Sequence, residues 1–131
     1  MFLSIRKKNA LYIIFLLLGG LLIFHLLIIS QLIPYDQVWG GRLQSEEEMI
    51  RFESFSLGLN AFMLLIYVVK YRQLLSGNEQ KLTNFLIWLF ATFFLLNTIG
   101  NLLAESILEM IPGTIVTLSM VILSVIVVRK P

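Results

Sequence analysis

Long apolar runs alternate with short polar breaks along this chain, and the positions of the breaks predict its elements. The first run extends from about Ala10 to Ile33, with His25, Ser30 and Gln31 as its strongly polar interruptions. At ~1.5 Å per residue a helix of that length is ample for a ~30 Å hydrocarbon core. A second helix has a visible start: Ser45-Glu46-Glu47-Glu48 fits a capping box, with Ser45 as N-cap and Glu48 at the third helical position. Its spanning part is roughly Phe52 to Val69. Counted from Ser45 to Tyr71 it would be about 40 Å long, so its first two turns should stand in the interface or in water. The third run is roughly Leu82 to Leu103 and the fourth roughly Ile107 to Val128. Ser106 and Glu109 offer the fourth a capping box, and Pro112 either kinks it or marks its true first turn. Short connections force antiparallel neighbours. The pattern therefore predicts an all-α fold, a transmembrane up-down-up-down four-helix bundle. It forms a single integral membrane domain over residues 1–131, with spans at about 10–33, 52–69, 82–103 and 107–128 and an external loop at 34–51.

Composition agrees with the pattern. Of 131 residues, 58% are hydrophobic and 14% charged, against an apolar share of about 45–50% in soluble domains. The first run follows Arg6, Lys7 and Lys8, which raises the question of a signal peptide. A signal core is only about 7–15 residues long and ends at a small-residue cleavage site. This run is longer and leads into Leu32-Ile33-Pro34-Tyr35, so it is expected to stay as an anchor. The absence of Cys rules out disulfides and thiolate metal sites.

Charge fixes the expected orientation. Arg6, Lys7, Lys8, Lys70, Arg72, Lys81, Arg129 and Lys130 fall on one side of a four-span arrangement, leaving Arg42 and Arg51 on the other. The positive-inside rule then puts both termini in the cytoplasm of a multi-pass cell-membrane protein. Asp36, Glu46, Glu47, Glu48, Glu53, Glu105 and Glu109 lie outside and only Glu79 inside. The net charge of +2 follows mainly from this sidedness and is no nucleic-acid signal.

The polar residues within the spans form stripes. On the second helix Met49, Glu53, Ser56, Asn60, Met63 and Tyr67 follow steps of four and three, which places them on one face. On the third, Phe90, Phe94, Asn97, Asn101 and Glu105 do the same. Together with His25, and with hydroxyls from Thr114 and Thr117, they put polar groups from four helices at one outer level. Two readings stay open. One is an outward-facing pocket with Glu53, Glu105 and His25 as ionisable members and Ser56, Asn60, Asn97 and Asn101 as polar contacts. The other is interhelical hydrogen bonding, at about 0.6 kcal/mol per bridge. Glu53 has Arg42 and Arg51 as expected interfacial partners, and Glu47 and Glu48 are expected to pair with Arg51. The segment Pro34 to Leu43, with Tyr35, Trp39, Gly40, Gly41 and Arg42, reads either as a cap over the bundle mouth or as an interfacial anchor. Gly19, Gly20 and Gly58 look like close-packing positions.

Phosphate loops, dinucleotide fingerprints, nucleophile elbows and zinc-protease helices are all absent from the sequence. With one His and no Cys, a zinc site would need carboxylates for most of its ligands, and no metal or cofactor is expected.

Val38-Trp39-Gly40-Gly41-Arg42-Leu43, Phe52-Glu53-Ser54-Phe55-Ser56 with Asn60, and Leu96-Asn97-Thr98-Ile99-Gly100-Asn101-Leu102 together resemble a widespread group of small bacterial integral membrane proteins of uncharacterised function with four spans. The resemblance covers nearly the whole chain and implies the four-span fold, but it carries no activity. The layout is more loosely similar to the emopamil-binding family of sterol isomerases, which place acidic residues around a membrane pocket. Glu53, Asp36, Glu105 and His25 would be the analogues, with no motif matching residue by residue. In size the chain also resembles the small multidrug resistance transporters. Their dual insertion needs balanced basic loops, whereas the split here is eight to two.

Three functions follow as expectations. The first is a small-molecule or lipid-binding protein, or an accessory subunit of a homodimer or larger membrane complex. Its pocket is lined by Glu53, Ser56, Asn60, Asn97, Asn101 and Glu105 and closed by Trp39 and Arg42. The second is an intramembrane isomerase using carboxylate or His25 proton transfer, which needs donor and acceptor within hydrogen-bond reach of one substrate atom. The third is a dimeric transporter, which needs an inward route that the inner halves of these helices supply with few polar residues.

Overall fold

The computed structural model describes residues 2–37, 43–104 and 107–129. They form four helices, α1 (Phe2–Ile29), α2 (Glu46–Ser76), α3 (Lys81–Leu102) and α4 (Ile107–Val128), with a single 3₁₀ turn at Tyr35–Gln37. No strand occurs among the described residues. All four helices are long and apolar enough to cross a membrane.

The ends of α2 are written in its sequence. Ser45 is extended, at φ −149° and ψ 158°, and its hydroxyl accepts the Glu48 N–H at 3.1 Å. The carboxylates of the first turn add to this by facing the positive end of the helix dipole. At the other end Gly77 adopts φ +71°, and the Asn78 N–H closes back on the Gln73 carbonyl at 3.0 Å. A residue without Cβ takes that left-handed conformation at no steric cost. The helix therefore runs 31 residues, past the Tyr71 expected as its end.

Two other boundaries move. The first helix starts at Phe2, ahead of the basic run Arg6-Lys7-Lys8, and stops at Ile29 and not at Ile33. Gln31 then turns the chain at φ +66° and donates its amide to Glu46 Oε1 at 2.9 Å, which ties the turn to the start of α2. Pro112 lies inside α4. It interrupts the ladder there, because it has no N–H to offer the carbonyl four residues earlier. Ser106 of the expected second capping box lies outside the described residues.

Packing follows a repeat of three and four. On α1 the buried or half-buried positions Lys7, Leu11, Ile14, Leu18, Leu21, His25 and Ile28 form one seam. On α2 the seam is Met49, Glu53, Ser56, Asn60, Met63, Tyr67, Lys70 and Leu74. This spacing lets helices wind closely about one another as in a coiled coil. The main core collects Leu11, Ile14 and Leu18 from α1, Met63 and Tyr67 from α2, Ile87, Phe90 and Phe94 from α3, and Met120 and Val127 from α4. Each helix packs on its neighbours in sequence, and α4 closes the ring on α1. The α2–α3 seam is the sparsest of the four. Outside the core, Leu16, Phe55, Leu82 and Ile115 are more than half exposed. So broad an apolar exterior is suited to hydrocarbon and unsuited to water. Gly19, Gly20 and Gly58 are not close-packing positions, since a Cβ on any of them would meet no atom within 4 Å.

Candidate functional site

The α2 stripe expected from the sequence is buried along its whole length. Its charged member, Glu53, is completely buried, and Oε2 accepts from His25 Nδ1 at 2.6 Å. The seam of α1 brings His25 opposite Glu53, with its side chain 14% exposed, a partner beyond the two guanidiniums expected there. Arg51 makes no ion pair among the described residues, so its expected pairing with Glu47 and Glu48 is also absent. Arg42 lies outside the described residues. Below Glu53 the seam continues with buried Ser56 and Asn60. The Asn60 amide donates to the Ser56 carbonyl at 2.7 Å, within its own helix.

The third helix enters this level in a different phase from the expected one. After Phe94 the seam steps by four to Thr98, which is buried, and Asn97 is left exposed, its amide turned back to the Phe93 carbonyl at 3.1 Å. The Thr98 and Thr117 hydroxyls lie 2.9 Å apart between α3 and α4. Each also sits 2.8 Å from the carbonyl four residues earlier on its own helix. Half-buried Asn101 reaches Thr117 in a long contact at 3.5 Å. The Thr114 hydroxyl is buried with no hydrogen-bond partner among the described residues. The polar groups therefore divide into a His25–Glu53 pair between α1 and α2 and a threonine–asparagine cluster between α3 and α4. Trp39 and Glu105 lie outside the described residues.

Gly113 is the glycine that this second cluster needs. A Cβ there would stand 2.5 Å from Asn101 Oδ1 and 2.7 Å from its Cγ. Gly113→Ala is expected to push Asn101 off Thr117 at a cost of about 1–2 kcal/mol. Gly58→Ala, which meets nothing, should cost nothing measurable. Adding Asn101→Ala to Gly113→Ala should restore the melting temperature in detergent, and a double variant as unstable as the single would exclude this contact as the cause.

The lysine-bearing end of the bundle carries a network that sequence reasoning missed. Lys70 is fully buried, and its ammonium donates to Glu79 Oε1 at 2.5 Å and to Asn84 Oδ1 at 2.6 Å. Lys7, nearly buried, reaches the same carboxylate oxygen at 3.2 Å. Gln73 donates to Thr83 at 2.8 Å and accepts the Gln80 N–H at 3.2 Å. Further into the bundle the Tyr67 and Ser124 hydroxyls meet at 2.7 Å. This half is thus richer in polar groups than expected. The signal was in the α2 stripe, which reaches Lys70 and Leu74 when its steps of three and four are continued past Tyr67.

Neither of the two best-formed hollows among the described residues is lined by His25 or Glu53. Both are open surface depressions. One, of about 370 Å³, is lined by Glu48, Arg51, Phe52 and Phe55. The other, of about 290 Å³, is lined by Ile13, Leu17, Ser119, Ile122 and Leu123. No group of three His, Asp or Glu side chains that could hold a metal ion occurs among the described residues. No protein-family model, no curated protein and no solved structure matches this chain.

Proposed function

We propose that the chain is a multi-pass membrane protein folded as an up-down-up-down bundle. Both termini are cytoplasmic, and the Glu53 end faces outward as the binding site for a small molecule or lipid, or as the seat of an accessory contact in a larger membrane complex. The orientation rests on the eight-to-two split of basic residues. The site rests on one observation: a fully buried carboxylate, Glu53, held at 2.6 Å by the only histidine of the chain. Ionisable groups at such depth are costly to keep and mark functional positions by default. Ser56 and Asn60 extend the polar wall one and two turns further along the same seam.

The same contact supports a second reading, an intramembrane isomerase. His25 and Glu53 stand within hydrogen-bond reach of each other, close enough for both to reach one substrate atom as proton donor and acceptor. The test is gentle extraction followed by denaturing release and mass spectrometry of bound small molecules, comparing wild type with Glu53→Gln and Asn60→Ala. A specific compound whose occupancy falls at least about tenfold in Glu53→Gln supports the site. Equal occupancy in all three proteins overturns it, and recovery of the compound as an isomer from wild type alone selects the enzyme.

A further inference from the structure

Glu48, Arg51, Phe52 and Phe55 are spaced by three, one and three residues, which places them on one face of α2. That face is offset from the buried seam of Met49, Glu53 and Ser56 and opens into the depression of about 370 Å³. Two features set it apart from an ordinary lipid-facing surface. Its two charges are opposite in sign and one turn apart, yet they form no ion pair. That spacing allows such a pair to close on itself. Its polar and apolar members are also ordered along the helix. Glu48 and Arg51 come first, and Phe55 follows one turn, about 6 Å, deeper into the apolar span. Phe55 is 67% exposed, so its ring is available to an apolar chain.

We infer that this face of α2 holds a zwitterionic phospholipid, with the headgroup ammonium on Glu48, the phosphate on Arg51 and the acyl chain along Phe55. A guanidinium suits a phosphate because its N–H fork matches the oxygens. A carboxylate one turn away suits a primary ammonium, which supplies three donors. An anionic headgroup without an amine would satisfy Arg51 and leave Glu48 facing a like charge. A phosphatidylethanolamine therefore fits both ends and a phosphatidylglycerol fits one. The site is separate from the His25–Glu53 pair and stands or falls independently of it.

The experiment is native mass spectrometry of the full chain, delipidated in mild detergent. It is titrated with equal amounts of phosphatidylethanolamine and phosphatidylglycerol carrying the same acyl chains. Wild type is expected to retain the ethanolamine lipid about tenfold better, as one charge-assisted contact implies. Glu48→Gln should abolish that preference by losing the ethanolamine lipid alone, whereas Arg51→Gln should lose both lipids. Glu47→Gln, a neighbouring carboxylate outside the depression, should change neither. Phe55→Ala, expected to weaken both lipids equally, provides a readout that involves no charge. Equal retention of the two lipids by wild type would mean that phosphate alone is recognised and would overturn the proposal. An unchanged preference in Glu48→Gln, or unchanged retention of both lipids by Arg51→Gln, would do the same.

Discussion

Glu79→Ala should lower stability by about 2 kcal/mol, read as a drop in melting temperature in detergent. The figure is discounted from the range of about 3–5 kcal/mol for breaking a buried pair, because the Glu79 side chain is 39% exposed and water screens it. The loss falls on Lys70, whose completely buried ammonium would keep only Asn84 as a partner. Lys70→Met should cost less, within about 1 kcal/mol, because Glu79 then retains both Lys7 and solvent. The double variant should accordingly be more stable than Glu79→Ala alone. Acid offers an independent check. Burial works to raise the Glu79 pKa, but its hydrogen bonds and charge contacts with Lys70 and Lys7 outweigh that and hold it below the ordinary value of 4.5. A group whose folded-state pKa is depressed contributes stability that is complete above its unfolded pKa and lost as pH falls through the folded one. The gap in melting temperature between wild type and Glu79→Ala should therefore be constant above about pH 5 and close in more acidic solution. A gap that persists unchanged into acid would show that the carboxylate charge contributes nothing.

His25→Leu is expected to cost about 2 kcal/mol, in the range for hydrogen bonds to a charged group. It withdraws the Nδ1 donor from a carboxylate that has no access to water. Glu53→Gln should cost less, since an amide at the same position can still hydrogen-bond the imidazole in either tautomer. The order of the two melting temperatures is the readout. If Glu53→Gln proves the more damaging, the charge on Glu53, and not its bond to His25, is what the fold depends on.

How much of this was legible in the sequence differs from helix to helix, for physical reasons. The second helix mixes polar and apolar residues, so its phase shows in the spacing from Met49 to Tyr67, and that stripe is buried throughout. The caps at Ser45 and Gly77 are local chemistry and are equally plain in the letters. The first helix is apolar nearly all round, so no polar face marks its phase. The height of His25 in the bundle could be counted from the start of the run, but its partner could not. The third helix misled the reading because Asn97 and Thr98 are adjacent and both polar. Spacing admits a step of three or of four after Phe94, and packing against Thr117 selects the four. Lys70 was read as a marker of orientation because a lysine at the end of an apolar run usually reaches water. Its burial depends on Glu79 and Asn84, which the α2–α3 turn brings back beside it.

The sparse seam between α2 and α3 has a direction. The rings of Phe62 and Tyr67 against Phe90, the Gln73–Thr83 bond and the Lys70–Asn84 bond all lie in the half that carries the lysines. Toward the other end Thr98 and Asn101 turn to α4, while Glu53 turns to α1. Among the described residues the bonds and ring contacts between the two helices thus gather at one end, like the pivot of a pair of shears. A guest reaching Glu53 between them would arrive sideways out of the bilayer, without crossing the headgroups of a bundle mouth. Its occupancy would then follow its concentration in the lipid. Two compounds with equal intrinsic affinity for the pair would rank by their partition coefficients, the oilier one appearing the tighter binder in any assay reckoned per volume of water.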